Sequence, residues 1–467
     1  MVSMENSIKE ILSVLNKIRK KHAIVIGDIF LDEYIYGMVK KVSTGIQIPV
    51  VDKESVKYCL GGAANVAANI AGLCSYTALV GRCANDDAGN MVRKLCESDG
   101  IKLYSFLSDR TTVKQRIYVD HQQTLKLDAD SYTESIEEGL ITVFSEFRAD
   151  VVIIADYLYG AVTQEVIEKV IKYCKKENIP LLFTSRELNR FDLNTYPVIV
   201  ANQNEWQQWK LSGSCREAFI TKGKLGIQYI SESETIEKRT NEKYPVNISG
   251  AGDSALAVIS LLYGEKISSA DLMLIANLAG GLAVAHELTY VLKRHELVDA
   301  LYEQRTGEDG INKIVDVSAS SDIVSAWKQE GKKIVFTNGC FDLLHMGHVK
   351  SFQYSKKFGD KLVVAVNSDA SIKRLKGKGR PISRFEERVV VLAYLSMIDM
   401  VIPFDENTAV SVIKQIEPDI YIKGEEYKQR ELPEASYVKK IEYVPMIEGT
   451  STTQLIERIA KAVEKNE

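Results

Sequence analysis

The sequence lacks the features that mark membrane-spanning and nucleic-acid-binding proteins. Its longest apolar runs, such as VVIIA, have the length of a strand rather than of a bilayer-spanning helix. The formal net charge is only -4, so the chain has no strong field of one sign that would attract nucleic acid or a membrane surface. We therefore expect no nucleic acid and no membrane partner, and any phosphate must be held by local groups.

Paired cysteine motifs are also missing. The seven cysteines are scattered, odd in number and never spaced Cys-x-x-Cys, which argues against a disulfide framework or a zinc ribbon. The N-terminal stretch MVSMENSIKEILSVLNKIRKKH alternates charged and apolar residues at helical spacing, unlike a leader peptide. These observations predict a cytoplasmic protein in a reducing compartment.

The 467 residues are too many for one ordinary core and favour two or three domains. From Ala23 onward, short β-branched runs alternate with amphipathic segments, which indicates an α/β fold around a largely parallel sheet. Two alternating stretches, 34–58 and 111–128, predict extra strands that form a β-lid beside this sheet. A polar segment near 305–321 is interpreted as an exposed linker, after which a second βα series begins. The predicted domains are residues 1–310, a linker and leading helix at 311–331, and a smaller, Rossmann-like doubly wound domain at 332–467.

Small residues precede a predicted helix in NISGAGDSALAV, where Gly250, Ala251 and Gly252 lead to Asp253. Backbone N–H groups at such a helix start can converge on an anion, and the helix dipole adds positive potential. Asp253 could take a proton from an attacking hydroxyl while those N–H groups stabilise a transferred phosphoryl group. The alternative is a glycine-rich turn in which the aspartate only caps the helix.

Further polar and small residues follow predicted strands in the same half. On the predicted sugar side these are Asp28, Gly61, Gly62 and Asn65. On the nucleotide side, Asn202 and Glu205 form a pair that could order phosphate or water bound to Mg²⁺. A turn suited to a nucleotide lies at Thr221 and Gly223.

Taken in this order, the motifs resemble those of the ribokinase (PfkB) family of sugar kinases, over about Ala23 to Ala300. The resemblance implies ATP as the phosphoryl donor, Asp253 as the catalytic base and the residues from Gly250 to Gly252 as the anion hole. Mg²⁺ is expected to be held by the ATP phosphates, with Glu205 as the one candidate protein ligand.

The stretch TNGCFDLLHMGHVKSF, at 337–352, admits three interpretations. The spacing of His345 and His348 puts both imidazoles on one helical face, which would suit a metal with Cys340 and Asp342 nearby. A capped helix with core-facing histidines is a second possibility. The order of buried strand, glycine turn and helix start favours the third, in which two imidazoles bind phosphates and stabilise the transition state of nucleotidyl transfer.

Phosphate-binding chemistry continues downstream in a basic loop and at later strand ends. A basic run is often only a solvated face, but this one lies between two αβ units beside the predicted phosphate site. The candidate nucleotide-binding residues are Thr337, Asn338, Gly339, Phe341, Asp342, Asn367, Asp369, Arg380, Arg384, Arg388, Lys423, Gly424, Thr450, Ser451, Thr452 and Thr453. Their motifs resemble those of the cytidylyltransferase-like nucleotidyltransferase superfamily, over about Lys332 to the end.

Together the two halves resemble the bacterial family of bifunctional heptose-7-phosphate kinases and heptose-1-phosphate adenylyltransferases, which make the lipopolysaccharide precursor ADP-heptose. GDIFLDEYIYG, TVKQRIYVDHQQ, VNSDASIKRLKGKGRPIS and GTSTTQLI extend the resemblance beyond the catalytic motifs. It implies ATP and sugar phosphates as substrates, Mg²⁺, and a homodimer through the lid strands.

The chain departs from that family's pattern on the kinase side. STGIQIP, at 43–49, stands where the lid usually reads Ser-Pro-Glu-Ala-Pro. Tyr159 replaces a lysine that usually follows Asp-Tyr-x, Asn247 replaces an acid, and the segment 184–186 replaces Asp-Pro-Lys. These changes leave open a kinase half of altered specificity, or one that only binds ligand or scaffolds a dimer, beside a transferase for another sugar or polyol phosphate. The sugar, its anomer and the choice between ATP and CTP in the transferase half also stay open.

Overall fold

The computed structural model describes residues 8–43, 48–74, 76–120, 122–193, 196–209, 215–240, 250–377, 379–445, 455, 456, 458 and 461. Its helices are α1 (Ile8–Ile18), α2 (Ala63–Ala71), α3 (Asp87–Ser98), α4 (Leu140–Glu146), α5 (Gln164–Glu177), α6 (Gln203–Trp209), α7 (Ala251–Leu262), α8 (Ser269–Val284), α9 (Arg294–Glu308), α10 (Val317–Gln329), α11 (Met346–Ser355), α12 (Asp369–Lys376), α13 (Phe385–Ala393) and α14 (Val410–Ile416). Its strands are β1 (His22–Gly27), β2 (Ile29–Val42), β3 (Pro49–Gly62), β4 (Tyr76–Cys83), β5 (Ile101–Leu107), β6 (Thr112–Val119), β7 (Gln122–Ala129), β8 (Val151–Asp156), β9 (Leu181–Ser185), β10 (Val198–Asn202), β11 (Glu217–Thr221), β12 (Ile227–Ser231), β13 (Thr235–Lys238), β14 (Ile334–Gly339), β15 (Lys361–Asn367), β16 (Met400–Phe404), β17 (Ile420–Gly424) and β18 (Ile441–Val444).

The chain divides into two units, Val14–Leu297 and Val298–Glu467, and the second also takes in Ser7–Ser13. This division passes through α9, so the domain limits at 310 and 332 stay a prediction. None of the helices in the described ranges combines the length and the apolar character needed to cross a bilayer.

The first unit is built on a nine-stranded sheet of order β13-β12-β11-β10-β9-β8-β1-β4-β5. β12 runs antiparallel to both of its neighbours, β11 and β13, and all other neighbouring pairs in the sheet are parallel. Central strands such as β8 are buried along their whole length, as expected where helices cover both faces of a parallel sheet. The strand order reverses between β1 and β8, and ligands of such sheets bind at the carboxyl ends beside this switch point.

The two alternating stretches form the separate sheet that the sequence predicts. Its order is β3-β2-β6-β7, with β2 antiparallel to β3 and parallel to β6. The outer part of β2 and most of β7 are exposed. The α/β fold with a β-lid is therefore confirmed.

The second unit contains a five-stranded, wholly parallel sheet of order β16-β15-β14-β17-β18. This is a small doubly wound fold, and its order reverses between β14 and β17. The hydroxyl of Thr337 in β14 donates to the carbonyl of Ile422 in β17 at 3.1 Å. The histidine motif after β14 therefore starts beside the end of β17.

The segment interpreted as an exposed linker is packed instead. Arg305 is only 5% exposed and Val315 is buried, and the N–H of Val315 donates to the carbonyl of Val401 at 3.0 Å. Asp316 caps α10 by accepting from the N–H of Ala319. Two of its aspartates, Asp309 and Asp316, cap the helical turns that follow them, and a fragment starting near residue 318 would lose these caps.

Candidate active sites

The carboxylate of Asp253 lies in the first turn of α7 and is held by two donors. The amide nitrogen of Asn65 donates to Oδ2 at 2.6 Å, and the hydroxyl of Tyr157 donates to Oδ1 at 2.7 Å. Burial raises the pKa of Asp253, although both hydrogen bonds oppose this rise. A carboxyl group with a raised pKa at a helix start is suited to proton transfer.

The glycine-rich turn before Asp253 has the geometry of an anion site. Gly250 caps α7 with a φ of 83°, a left-handed conformation that glycine adopts without strain. The N–H groups of the first helical turn, including those of Ala251 and Gly252, have no partner within a helix. A Cβ atom on Gly252 would meet open space, so the turn leaves room for an anion next to the carboxylate.

A buried amide network fixes the direction of Asn65. The side chain of Asn69 donates to the carbonyl and to Oδ1 of Asn65, at 2.9 and 3.2 Å. Its own oxygen accepts from the hydroxyl of Ser254 and from the N–H of Leu292. Because Oδ1 of Asn65 is thereby used as an acceptor, its NH₂ group must face Asp253.

The other predicted sugar-side residues have structural partners. The buried carboxylate of Asp28 accepts from the N–H groups of Tyr157, Tyr159 and Ala161, at 2.8, 3.1 and 3.1 Å. It therefore holds the loop that follows β8. Cβ atoms on Gly61 and Gly62 would lie 2.3 and 2.5 Å from atoms of the Phe30 ring, so ring packing requires glycine at both places. Sugar contact by these residues stays a prediction.

The predicted nucleotide-side residues lie together at the ends of β10 and β11. The side chain of Asn202 accepts from the N–H of Glu205 at 3.0 Å, and Glu205 accepts from the N–H of Asn202 at 2.8 Å. This reciprocal pair caps α6. Asn202 is in register with Thr221, and Gly223 follows with a φ of 55°. Burial raises the pKa of Glu205, and the charge of Asp253 adds to this effect.

Three residues whose side chains lie beside Asp32, Tyr159 or Asp253 were not assigned from the sequence. Arg116 pairs with Asp32 at 2.5 Å. The ammonium of Lys114, which is 9% exposed, lies 5.2 Å from the ring centroid of Tyr159. The third is Tyr157. The two-residue spacing in TVKQR puts Lys114 and Arg116 on one face of β6, and this was the available signal for both.

Tyr159, which stands where the resembled family has a lysine, has a buried ring. The side chain is 6% exposed, and its hydroxyl donates to Asp130 at 2.9 Å. Burial, followed by the bond to Asp130, raises the pKa of Tyr159, so the group stays neutral. The guanidinium of Arg186 lies 5.4 Å from the ring centroid of Tyr157. Asn247 and residues 44–47 of the altered lid segment lie outside the described residues.

In the second unit, two histidines open α11. Nδ1 of the N-cap residue His345 accepts from the N–H of Gly347 at 3.1 Å, and Nδ1 of His348 accepts from the N–H of His345 at 3.4 Å. The ring centroids are 4.0 Å apart. A neutral imidazole that accepts through Nδ1 carries its proton on Nε2. Both rings therefore offer an Nε2–H donor at a helix N-terminus.

Both histidines are neutral at physiological pH. Burial lowers the pKa of His345, and burial followed by the charge of His345 lowers the pKa of His348 to about 4. Phe341, with a φ of 46°, packs edge-on against His348 at 5.4 Å between ring centroids. Within the described ranges, no three His, Cys, Asp or Glu side chains are grouped to hold a metal ion.

A buried ion network supports the histidine loop. Asp342 accepts from Arg380 at 2.5 Å and from the N–H groups of Ile382 and Ser383 at 2.6 and 2.9 Å. Burial alone would raise the pKa of Asp342, but these donors outweigh it and the pKa is lowered. The basic loop is thus tied directly to the histidine motif.

The candidate residues Arg384 and Arg388, one helical turn apart in sequence, have different surroundings in the structure. Arg388 is 2% exposed and donates to the carbonyls of Cys340 and Asn367 and to Asp369. The Arg384 side chain is exposed and pairs with Glu387. Arg388 therefore joins the loop after β14 to the β15–α12 connection, whereas Arg384 faces solvent.

Lys423 at the end of β17 completes the described part of this site. Its ammonium donates to the side-chain oxygen of Asn338 at 2.9 Å, and the hydroxyl of Tyr421 donates to the same atom at 2.6 Å. Burial lowers the pKa of Lys423. Thr337, Gly339 and Gly424 line the same strand ends. Thr450, Ser451, Thr452 and Thr453 lie outside the described residues.

Two family models match this chain, one within each of its two units. A model of the pfkB family of carbohydrate kinases matches residues 21–294, and a cytidylyltransferase-like model matches residues 336–458. The protein named Bifunctional protein HldE from Geobacter sulfurreducens is 33% identical over 94% of this chain and 96% of its own. Proteins of the same name from Caulobacter vibrioides and Geotalea uraniireducens are 33% and 32% identical, over 94% and 97% of this chain and 97% and 98% of theirs. A solved structure, phosphofructokinase-2 from Escherichia coli in complex with potassium, aligns with a TM-score of 0.49 at 15% identity, over 61% of this chain and 100% of that chain.

The matches extend over almost the whole chain and include both units. With a carbohydrate kinase domain followed by a nucleotidyltransferase-like domain, this chain belongs to the family of bifunctional HldE proteins.

Proposed function

We propose that this chain carries out two successive steps of ADP-heptose synthesis. The first unit phosphorylates heptose 7-phosphate at C1 with ATP, and the second transfers an adenylyl group from ATP to heptose 1-phosphate and releases pyrophosphate. The observation that carries this proposal is that each unit has its own helix N-terminus with reactive side chains beside the switch point of a parallel sheet.

In the kinase step, Asp253 accepts the proton of the C1 hydroxyl as its oxygen attacks the γ-phosphorus of ATP. The bond between the γ-phosphorus and the bridging oxygen breaks, and ADP leaves. The N–H groups of Ala251 and Gly252 face the charge that develops on the transferred group. Asn65 keeps the carboxylate oriented through its bond to Oδ2.

The nucleotide side fits Mg²⁺ carried by the ATP phosphates. Hard cations prefer oxygen ligands. Asn202 at the end of β10 and Glu205 in α6 supply such oxygens. When bound, Mg²⁺ neutralises charge on the phosphates. Glu205 is the residue proposed to contact it, directly or through water.

In the transferase step, an oxygen of the sugar 1-phosphate attacks the α-phosphorus of ATP and pyrophosphate leaves. The attacking phosphate is already ionised, so no base is needed. His345 and His348 donate through Nε2 to the phosphate oxygens on which charge develops. Lys423 adds a positive charge at the neighbouring strand end.

We also propose a cytoplasmic homodimer that forms through the lid. The large apolar side chains exposed on the lid strands include Met38, Val39, Val42, Val50, Leu125 and Leu127. Exposed apolar groups concentrated on one element are typical of an interaction surface. A second copy of the same sheet would cover them.

A kinase half of altered specificity is the second candidate. Tyr159 offers one neutral hydroxyl where the resembled family has an ammonium, and charge-assisted hydrogen bonds are about twice as strong as neutral ones. Lys114 and Arg186 provide positive charge near this ring instead. A distal phosphate could therefore be held at a different place.

The test uses the purified full chain with ATP or CTP and a panel of sugar phosphates, with ADP and pyrophosphate followed separately. The main proposal predicts ADP from heptose 7-phosphate and pyrophosphate from heptose 1-phosphate with ATP. ADP only with another sugar would favour altered specificity. Pyrophosphate release with no ADP from any sugar would leave the first unit a binding or scaffold role.

A further inference from the structure

The hydroxyl of Tyr157 makes a second, independent contact with the carboxylate that the kinase proposal uses as a base. It donates to Oδ1 of Asp253 at 2.7 Å, whereas Asn65 donates to the other oxygen. The two donors come from different elements, since Tyr157 follows β8 and Asn65 lies in α2. Together they define the plane of the carboxylate.

The position of Tyr157 is itself fixed from three sides. Its backbone N–H donates to Asp28 at 2.8 Å. Its ring meets the ring of Phe30 edge-on, with centroids 5.6 Å apart. The guanidinium of Arg186 lies 5.4 Å from its ring centroid. The hydroxyl is therefore directed at Asp253 by its surroundings.

The contact leaves the carboxylate able to act. An ionised carboxylate has about four acceptor positions, so a substrate hydroxyl can donate to Asp253 while both protein donors stay in place. Donors to a carboxylate stabilise its charged form, whereas burial favours the neutral acid. Because burial raises the pKa of Asp253, these donors favour the ionised form that a base requires.

We propose that Tyr157 is a positioning residue for the kinase reaction, whose hydroxyl orients the carboxylate of Asp253 and keeps it ionised at neutral pH. This inference rests on the proposed role of Asp253 as the base. Tyr157 acts through Asp253 and takes up no proton itself, because its pKa is raised far above the ordinary value by burial and by the charge of Asp253.

The test compares Tyr157→Phe with Tyr159→Phe in the full chain. Each change deletes one phenolic hydroxyl, but that of Tyr159 bonds Asp130 rather than the base. The turnover number for ADP formation from ATP and heptose 7-phosphate is measured between pH 5 and 9. The acid limb is the low-pH side of the curve of turnover number against pH. In Tyr157→Phe this limb should move up by about one pH unit, because the ionised base has lost a donor. In Tyr159→Phe the acid limb should stay in place, whatever happens to KM.

Pyrophosphate release by the second unit serves in every variant as the reference activity of the same chain. Incorporation of 3-fluorotyrosine at position 157 adds a test of opposite sign. The more acidic phenol is a stronger donor, so the acid limb should move to lower pH. A residue with a merely structural role would not move the limb in opposite directions.

An unmoved acid limb in Tyr157→Phe would overturn the inference, and so would an equal shift in Tyr159→Phe. Loss of ADP formation at every pH with intact pyrophosphate release would also overturn it, because the hydroxyl would then do more than hold the base. Asp253→Asn separates the two proposals. If Asp253→Asn still turns over, the base assignment itself fails, whereas an inactive Asp253→Asn beside an unmoved Tyr157→Phe defeats only the role of Tyr157.

Discussion

Replacement of His348 by alanine should slow adenylyl transfer while leaving the fold almost unchanged. The pKa of His348 is about 4, so only about 0.1% of the rings are protonated at pH 7. The group that is lost is therefore a neutral Nε2–H donor. Removal of one donor to a developing oxyanion lowers the turnover number by about a hundredfold or more, roughly 3 kcal/mol. The N–H of His345 also loses its acceptor, but at 3.4 Å that bond is long, and its loss costs about 0.5 kcal/mol, the low end for a helix cap.

The assay is pyrophosphate release from ATP and heptose 1-phosphate by the full chain. The turnover number should fall in His348→Ala and in His345→Ala, whereas KM for ATP should change less. His348→Gln, which retains an N–H donor, should recover part of the loss. ADP formation by the first unit is the internal control and should be unaffected. In the native protein, protonation of His348 should not shape the rate between pH 6 and 8.

Two results would refute this reasoning. A native rate that climbs tenfold for each pH unit on acidification from pH 7 would mean that an imidazolium is the active form. A stoichiometric transition metal that is lost on either substitution would restore the metal-site interpretation of the two histidines.

Four further predictions concern single groups. Asp253→Asn should abolish ADP formation and leave pyrophosphate release intact, since only the first reaction needs a base for a hydroxyl; equal loss of both products would indicate a structural role. Arg388→Leu should lower the free energy of unfolding of the second unit by about 3 kcal/mol, because two carbonyls and a carboxylate lose a buried partner. If heating abolishes pyrophosphate release at the same temperature in this variant and in the native chain, the prediction is wrong. The lowered pKa of Asp342 means that its contribution to stability is complete above about pH 4 and is lost as pH falls through its pKa in the folded protein. The stability difference between the native chain and Asp342→Asn should therefore shrink below pH 4. A constant difference would argue against the ionised network. Leu125→Asp with Leu127→Asp should convert a lid-mediated dimer into monomers in sedimentation experiments, whereas dimers that survive would place the interface elsewhere.

The sequence by itself determined the fold class and the positions of the two helix starts that carry the candidate sites. β-branched runs alternating with amphipathic segments require parallel sheets covered by helices, because only that arrangement buries both patterns. Gly250 to Asp253 and the motif from Thr337 to His348 mark helix starts, since the phosphate-binding signal there is local and needs no distant partner.

Only the tertiary structure decided which side chains serve each site. The donors to Asp253 lie 188 and 96 residues away in the chain, and no local pattern connects them. Helical spacing puts Arg384 and Arg388 near one another, but neighbouring strands bury one and leave the other in solvent. Asp28 proved to hold a loop, because the N–H groups it accepts from lie just after a strand that is adjacent in the sheet but distant in sequence. Local periodicity fixes where helices and strands form, whereas the partner of a polar side chain depends on which elements the packed core brings beside it.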